Sequence, residues 1–316
     1  QLIPMNIFTE TEKLAEAQLQ EFELAKINYA NLKKAAYKTI PIGTYTFELQ
    51  YNPDRIRSTA ANITPRVLQS RKCFLCSENL PAGQKGIPYG QDYNIFVNPY
   101  PIFQKHFTVP ATTHSPQLIK GRFTDMLALA KDFPAYTIFY NGPRSGASAP
   151  DHFHFQMAQR HVMPLEKDIQ HGEIVQQGHA YTISTLNNYL RKNILCSSGD
   201  CDLLSSLFTH ISEILENSIP SCPEPMINLL TWYSEGIWTV AIFPRRELRP
   251  WQFFAEGAGK ILFSPGCVDF AGLLVTPRKE DFDRYTPALL ADLFGQLTLT
   301  DATWKNLLPC LQTVHP

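Results

Sequence analysis

The chain has 316 residues, room for two ordinary domains or one large one, and its 44% hydrophobic and 12% aromatic content is that of a compact globular protein. Twenty-eight Lys and Arg stand against 29 Asp and Glu with no basic run, so a nucleic-acid groove is not expected and any anionic ligand is small and met locally. The longest apolar stretches, LLSSLF and FAGLLV, are too short to span a bilayer, and the first residues have neither the basic nor the apolar region of a signal peptide. Seven cysteines, an odd count, argue against a disulfide scaffold and for a reducing compartment, with the cytoplasm expected.

In chain order, residues 9–36 read as an amphipathic helix. Thr9 serves as N-cap with Glu12 three places on, and Leu14, Leu19, Phe22 and Leu24 face the core. Strand-like text follows at 44–51, 93–98, 106–111, 136–141 and 152–158, interrupted by helical spacing over 117–133. This order predicts an α+β fold, a mostly antiparallel sheet with packed helices. After about residue 165 the pattern returns: helices at 184–195 and 201–218, strands within 226–246, 261–265 and 270–282, then a C-terminal helical region. We read two related halves, 1–165 with the chemistry and 166–316 as a degenerate copy, the repeat running near 50–165 and 220–285.

The stretch GASAPDHFHFQMAQ carries that chemistry. On a strand, His152, His154 and Gln156 share one face, while Phe153, Phe155 and Met157 make a core surface on the other. Three hydrogen-bonding groups buried without partners would cost several kcal/mol, so their face is expected to line a cleft. The preceding NGPRSGASAP brings Asn141, Gly142, Ser145, Gly146 and Ser148 to the strand start, where backbone N–H groups and hydroxyls can surround phosphate oxygens. A neutral imidazole can attack phosphorus near neutral pH. Of the cations that could offset phosphate charge, we single out Arg55 and Arg57; Arg66, Arg71, Lys72 and Arg144 are the others. Cys73-x-x-Cys76 is half a zinc site by spacing, or else a buried pair of thiols. The pair in CSSGDC has no accompanying histidine and reads as a loop feature; His161, His171 and His179 read as surface, and Trp232, Trp238 and Trp251 as core.

HFHFQ resembles the His-x-His-x-Gln signature of the histidine-triad superfamily's transferase branch, the galactose-1-phosphate uridylyltransferases, diadenosine tetraphosphate phosphorylases and GDP-galactose phosphorylases. CFLC, NPYPIFQKHFTVPATTHSPQ and FSPGCVDFAGLLVTPRKEDF agree in order, so the likeness runs over most of residues 50–285. It implies a nucleotidyltransferase or nucleotide-sugar phosphorylase working through nucleotidyl-His154, with Gln156 steadying the phosphate and favouring transfer over hydrolysis. It implies a nucleotide or nucleotide-sugar donor, a phosphate or sugar-phosphate acceptor, and a homodimer. It also implies a structural zinc, or iron, on Cys73, Cys76, His114 and His152, with His106 as a rival ligand. One departure stands out: Ser148 lies four residues before His152, not three, with Asp151 inserted after Pro150. A dinucleoside polyphosphate phosphorylase or hydrolase, or a non-catalytic nucleotide-binding protein, would use the same residues.

Overall fold

The computed structural model describes residues 6–219 and 223–314. Its strands are β1 (Ala36–Ile42), β2 (Tyr45–Tyr51), β3 (Gly86–Tyr89), β4 (Tyr93–Val97), β5 (His106–Pro110), β6 (Tyr136–Asn141), β7 (His154–Gln159), β8 (Glu173–Gln177), β9 (Tyr181–Thr185), β10 (Ile194–Ser198), β11 (Ile227–Ser234), β12 (Ile237–Pro244) and β13 (Leu273–Thr276). Among the described residues ten of them form one sheet in the order β3-β4-β5-β7-β6-β11-β12-β10-β9-β8. All its pairings are antiparallel. The α+β class expected from the sequence is what the chain adopts.

Read inward from either edge, the order repeats: β3-β4-β5-β7-β6 on one side, β8-β9-β10-β12-β11 on the other. In each set one helix, Phe123–Asp132 or Cys201–Ser218, lies between the third and fourth strands in sequence. The sets meet where β6 pairs with β11, Asn141 opposite Asn228. A second sheet joins β1 and β2 to β13, so a hairpin before residue 52 pairs in parallel with a strand after residue 272.

Both faces of the large sheet are covered. Phe107, Phe155, Met157 and Tyr140 point into a core closed by the helices 123–132 and 201–218. The second helix is capped by the Asp200 carboxylate on the amides of Asp202 and Leu203, and Leu204, Leu207, Ile211 and Leu215 form its buried stripe. Each such large apolar side chain contributes about 2 kcal/mol on burial. On the other face Phe139, Leu230 and Phe243 pack under Phe47, Leu49, Phe270 and Phe294 from the small sheet and the C-terminal helices. No helix among the described residues is long and apolar enough to cross a membrane.

Several local expectations change. The first helix runs Ile7–Glu21 with Asn6, not Thr9, as its cap, and breaks at Phe22, whose extended backbone starts a second helix, Glu23–Leu32. Residues 184–195 are not helical: Asn188 and Leu190 take left-handed φ values of 56° and 57°, which an α-helix cannot contain, and the segment turns between β9 and β10. Residues 261–265 form no strand, and within 270–282 the strand is limited to β13. Trp232 and Trp238 are core residues, but Trp251 is 58% exposed on a single helical turn.

One buried carboxyl bears on stability. Glu224 accepts from the Tyr140 hydroxyl at 2.6 Å and the Ile119 amide at 2.9 Å, tying the 117–119 segment to β6. Burial lifts its pKa to about 7. The folded state therefore holds a proton that the unfolded chain releases near pH 4.5, and stability is lost as pH rises through this window, by about 3 kcal/mol. Glu224→Gln should remove that slope: its melting temperature should exceed the wild type's at pH 8 and converge with it at pH 4–5. Parallel pH profiles for the two proteins would show that the carboxyl is ionised in the fold.

Candidate active site

Strands β6 and β7 pair as far as Phe139 opposite Gln156 and then part. The side chain of Gln117, fully buried, fills the gap. Its Oε1 accepts from the His154 amide at 2.7 Å, and its Nε2 donates to the carbonyls of Asn141 and His154 at 3.0 Å each. A side-chain amide thus stands in for ladder bonds where the sheet opens to form a cleft of about 540 Å³. Nothing in the local pattern around Gln117 singles it out in the sequence.

His154 and Gln156 line this cleft from β7, and Phe153, Phe155 and Met157 lie in the opposite core. His154 Nδ1 lies 2.8 Å from the His152 carbonyl. A carbonyl only accepts, so Nδ1 carries the proton and Nε2 keeps its lone pair. Burial lowers the pKa of His154 to about 4, holding the ring neutral at physiological pH.

Gln156 is oriented from behind. The Ile102 amide donates to His106 Nδ1 at 3.2 Å, which leaves Nε2 as the protonated nitrogen, and Nε2 donates to Gln156 Oε1 at 2.9 Å. The Gln156 NH₂ is therefore the end turned to the cleft. His106, fully buried, belongs to this relay and not to the cysteine cluster, where it was a rival ligand. Asn141 is oriented the same way: its Oδ1 accepts from Asn228 Nδ2 at 2.8 Å and the Cys267 amide at 2.7 Å, so its NH₂ also faces the cleft.

Gly146 and Ser148 line the same wall. Gly146 has φ +100° and a Cβ there would meet the Gly266 backbone at 2.8 Å, so the loop accepts only glycine. Ser145 does not reach the cleft: it is fully buried, and its hydroxyl has no hydrogen-bond partner. Arg55 lines the cleft, donating to the Tyr100 carbonyl at 2.6 Å, while the Arg57 side chain lies outside the described part of the structure. Arg71, one of the other candidate cations, also lines the cleft, paired with Asp151 at 2.6 Å and stacked on Phe74. Arg66, Lys72 and Arg144 are exposed, as are His161, His171 and His179.

His152 precedes β7, which starts at His154, so it is a turn residue and its ring leaves the strand face. Its Nδ1 lies 3.3 Å from Cys73 Sγ and 3.5 Å from Cys76 Sγ, and His114 Nδ1 lies 3.2 Å from Cys76 Sγ. The four ligand atoms all fall within 4.8 Å of one another. Zinc–ligand bonds of about 2.0–2.3 Å at tetrahedral angles give edges of roughly 3.3–3.8 Å, so the donor set fits one zinc or iron ion. His152 Nε2 donates to the Ala111 carbonyl at 2.8 Å, which leaves Nδ1 as the metal-binding nitrogen.

Residues 14–159 match the model of a domain of unknown function, DUF4922. No curated protein matches the sequence. Among solved structures, yeast Ap4A phosphorylase Apa2 in complex with AMP superposes with a TM-score of 0.58 at 14% identity, covering 88% of this chain and 96% of that one. Its complex with Ap4A gives 0.56 at 14% identity, with 89% and 97% covered. A third structure of the same yeast protein gives 0.53 at 15% identity, with 89% and 94% covered. The likeness extends through both five-stranded parts of the sheet, well past the motif that first pointed to it. The chain has the fold found in yeast Ap4A phosphorylase, an α+β fold built on one large antiparallel sheet.

Proposed function

We propose that this protein is a nucleotidyltransferase or nucleotide phosphorylase acting through a covalent nucleotidyl-His154. The observation that carries the reading is a neutral imidazole, its Nε2 unprotonated, beside two amides whose NH₂ ends are turned to the same cleft. Nε2 attacks the α-phosphorus of a nucleotide donor. A P–N bond forms, the P–O bond to the leaving group breaks, and the leaving group departs with that electron pair. A phosphate or sugar-phosphate oxygen then attacks the same phosphorus, the P–N bond breaks, and the imidazole is restored. Asn141 and Gln156 donate to the non-bridging oxygens, with Ser148, Gly146 and Arg55 at the same wall; fixed donors aimed at developing charge account for much of such catalysis. An amide at position 156 is a poor general acid, which favours transfer over hydrolysis. A dinucleoside polyphosphate is a second donor class consistent with the same cleft, since the yeast protein of this fold is described with Ap4A and with AMP.

Cys73, Cys76, His114 and His152 would hold one zinc or iron ion, which supplies no chemistry to the transfer but pins the turn whose carbonyl orients His154. Purified protein should carry about one such ion per chain by elemental analysis, and Cys73→Ser should lose metal and thermal stability together. Metal-free wild type with undiminished stability would contradict this assignment.

The central test is labelling with α-³²P nucleotide donors, nucleotide sugars and dinucleoside polyphosphates included. Wild type should form an acid-labile adduct that phosphate discharges. His154→Ala should lower labelling by about three orders of magnitude or more, and Gln156→Ala should slow both half-reactions while still forming adduct. Adduct formation by His154→Ala at the wild-type rate would remove the nucleophile assignment. His106→Leu, close to histidine in volume, frees the Gln156 amide to turn; it should slow adduct formation about tenfold, the cost of the hydrogen bond that Gln156 would then fail to give the charged phosphate. An unchanged rate would mean that the relay does not orient Gln156.

A further inference from the structure

The five strands without a histidine pair reach the cleft through two buried side chains. Asn228, on β11, is fully buried and donates from Nδ2 to Asn141 Oδ1 at 2.8 Å and to the Ser145 carbonyl at 2.6 Å. Its own Oδ1 accepts from Arg245 NH1 at 3.2 Å. Arg245, at the end of β12 and 1% exposed, also donates from NH1 to the Pro265 carbonyl at 2.7 Å, and from NH2 to the carbonyls of Glu247 and Leu248. Pro265 and Gly266 form the surface against which Gly146 rests, and the Gly142 amide donates to the Ile227 carbonyl at 3.1 Å. The loop from 141 to 148 is thus seated on residues 227–228 and 265–267, with Gln117 holding its first carbonyl and Arg71 its last.

A guanidinium can only donate. Its contact therefore fixes Asn228 with oxygen toward Arg245 and NH₂ toward Asn141, and that NH₂ in turn fixes Asn141 with its oxygen inward. We propose that Asn228, set by Arg245, is a positioning residue for phosphate binding: together with the Cys267 amide it dictates that Asn141 presents N–H groups and not a carbonyl oxygen to the cleft. On this account the β8–β12 part of the sheet is a working component of the site. The inference rests on the reading of Asn141 as a phosphate ligand.

The test uses equilibrium binding, independent of the nucleophile. AMP, GMP and UMP are titrated by calorimetry against wild type, and the tightest binder is taken forward with its nucleoside as control. Asn228→Asp retains the contact with Arg245 but sets carboxylate against the Asn141 oxygen, which favours the flipped amide. It should weaken the monophosphate roughly tenfold or more while leaving the nucleoside unchanged. Asn228→Ser, which removes the amide without adding charge, should shift affinity in the same direction and serves if the aspartate variant does not fold. The double variant Asn141→Ala/Asn228→Asp should bind the monophosphate no more weakly than Asn141→Ala alone, a non-additivity that a merely structural role does not produce. Unchanged monophosphate affinity, equal weakening of the nucleoside, or additive losses would overturn the inference and leave the proposed function standing. Failure of all three monophosphates to bind wild type would overturn both.

Discussion

The proposed role of His154 depends on one hydrogen bond, from its Nδ1 to the carbonyl of His152. An imidazole has two nitrogens and one proton at neutral pH, and only the nitrogen without the proton can attack phosphorus. A backbone carbonyl is a stricter tautomer selector than a hydroxyl or water, because it cannot donate. The carbonyl is held by a fixed turn: the His152 amide donates to Ala149, the Phe153 amide to Ser115, and His152 Nε2 to Ala111. The cysteine–histidine cluster acts on this same turn, because His152 contributes its ring to the cluster and its carbonyl to His154. A single residue therefore joins the candidate metal centre to the proposed nucleophile.

The same device recurs around the cleft. Gln156, Asn141 and Gln117 are all amides, groups whose two ends look alike in size but are opposite in hydrogen bonding. In each case buried neighbours decide which end faces where: His106 for Gln156, Asn228 and the Cys267 amide for Asn141, and the His154 amide for Gln117. Burying these groups is tolerable only because their hydrogen bonds are made, and the satisfied ends prescribe the direction of the free ones. The wall is thus assembled from β5, from β11 and from the segment around 267, not from the histidine strand alone.

Much of this was legible in the sequence, and the boundary is physical. Alternation of Phe and polar residues in HFHFQMA showed which side of β7 faces the core, and the strands at 45–51, 93–97, 106–110 and 136–141 followed from the same period. The Cys73-x-x-Cys76 spacing was readable only as half a metal site; its partners lie 38 and 76 residues from Cys76, a proximity that only the resemblance could supply. Gln117, Asn228 and Arg245 were not legible, because a buried polar residue is distinguished by its partners and those are brought together by the tertiary fold. His106 was noticed only as a rival metal ligand, since spacing cannot reveal which of two clusters a ring joins. Residues 184–195 carry leucines at helical intervals, yet Asn193 uses its side chain to bind both backbone groups of Leu186 and closes a turn instead. Ser145 sits in a loop of small residues with Ser148, and only the packing of that loop against β11 turns its hydroxyl inward.

The most direct measurement of the central claim is the state of the His154 ring. In protein labelled with ¹⁵N at its histidine side chains, long-range ¹H–¹⁵N spectra distinguish a protonated from an unprotonated ring nitrogen, and the His154→Ala variant assigns the signal. The account predicts a neutral ring between pH 6 and 8, with the proton on Nδ1 and the lone pair on Nε2, as burial and the carbonyl of His152 require. An imidazolium in that range, or a neutral ring protonated on Nε2, would contradict it.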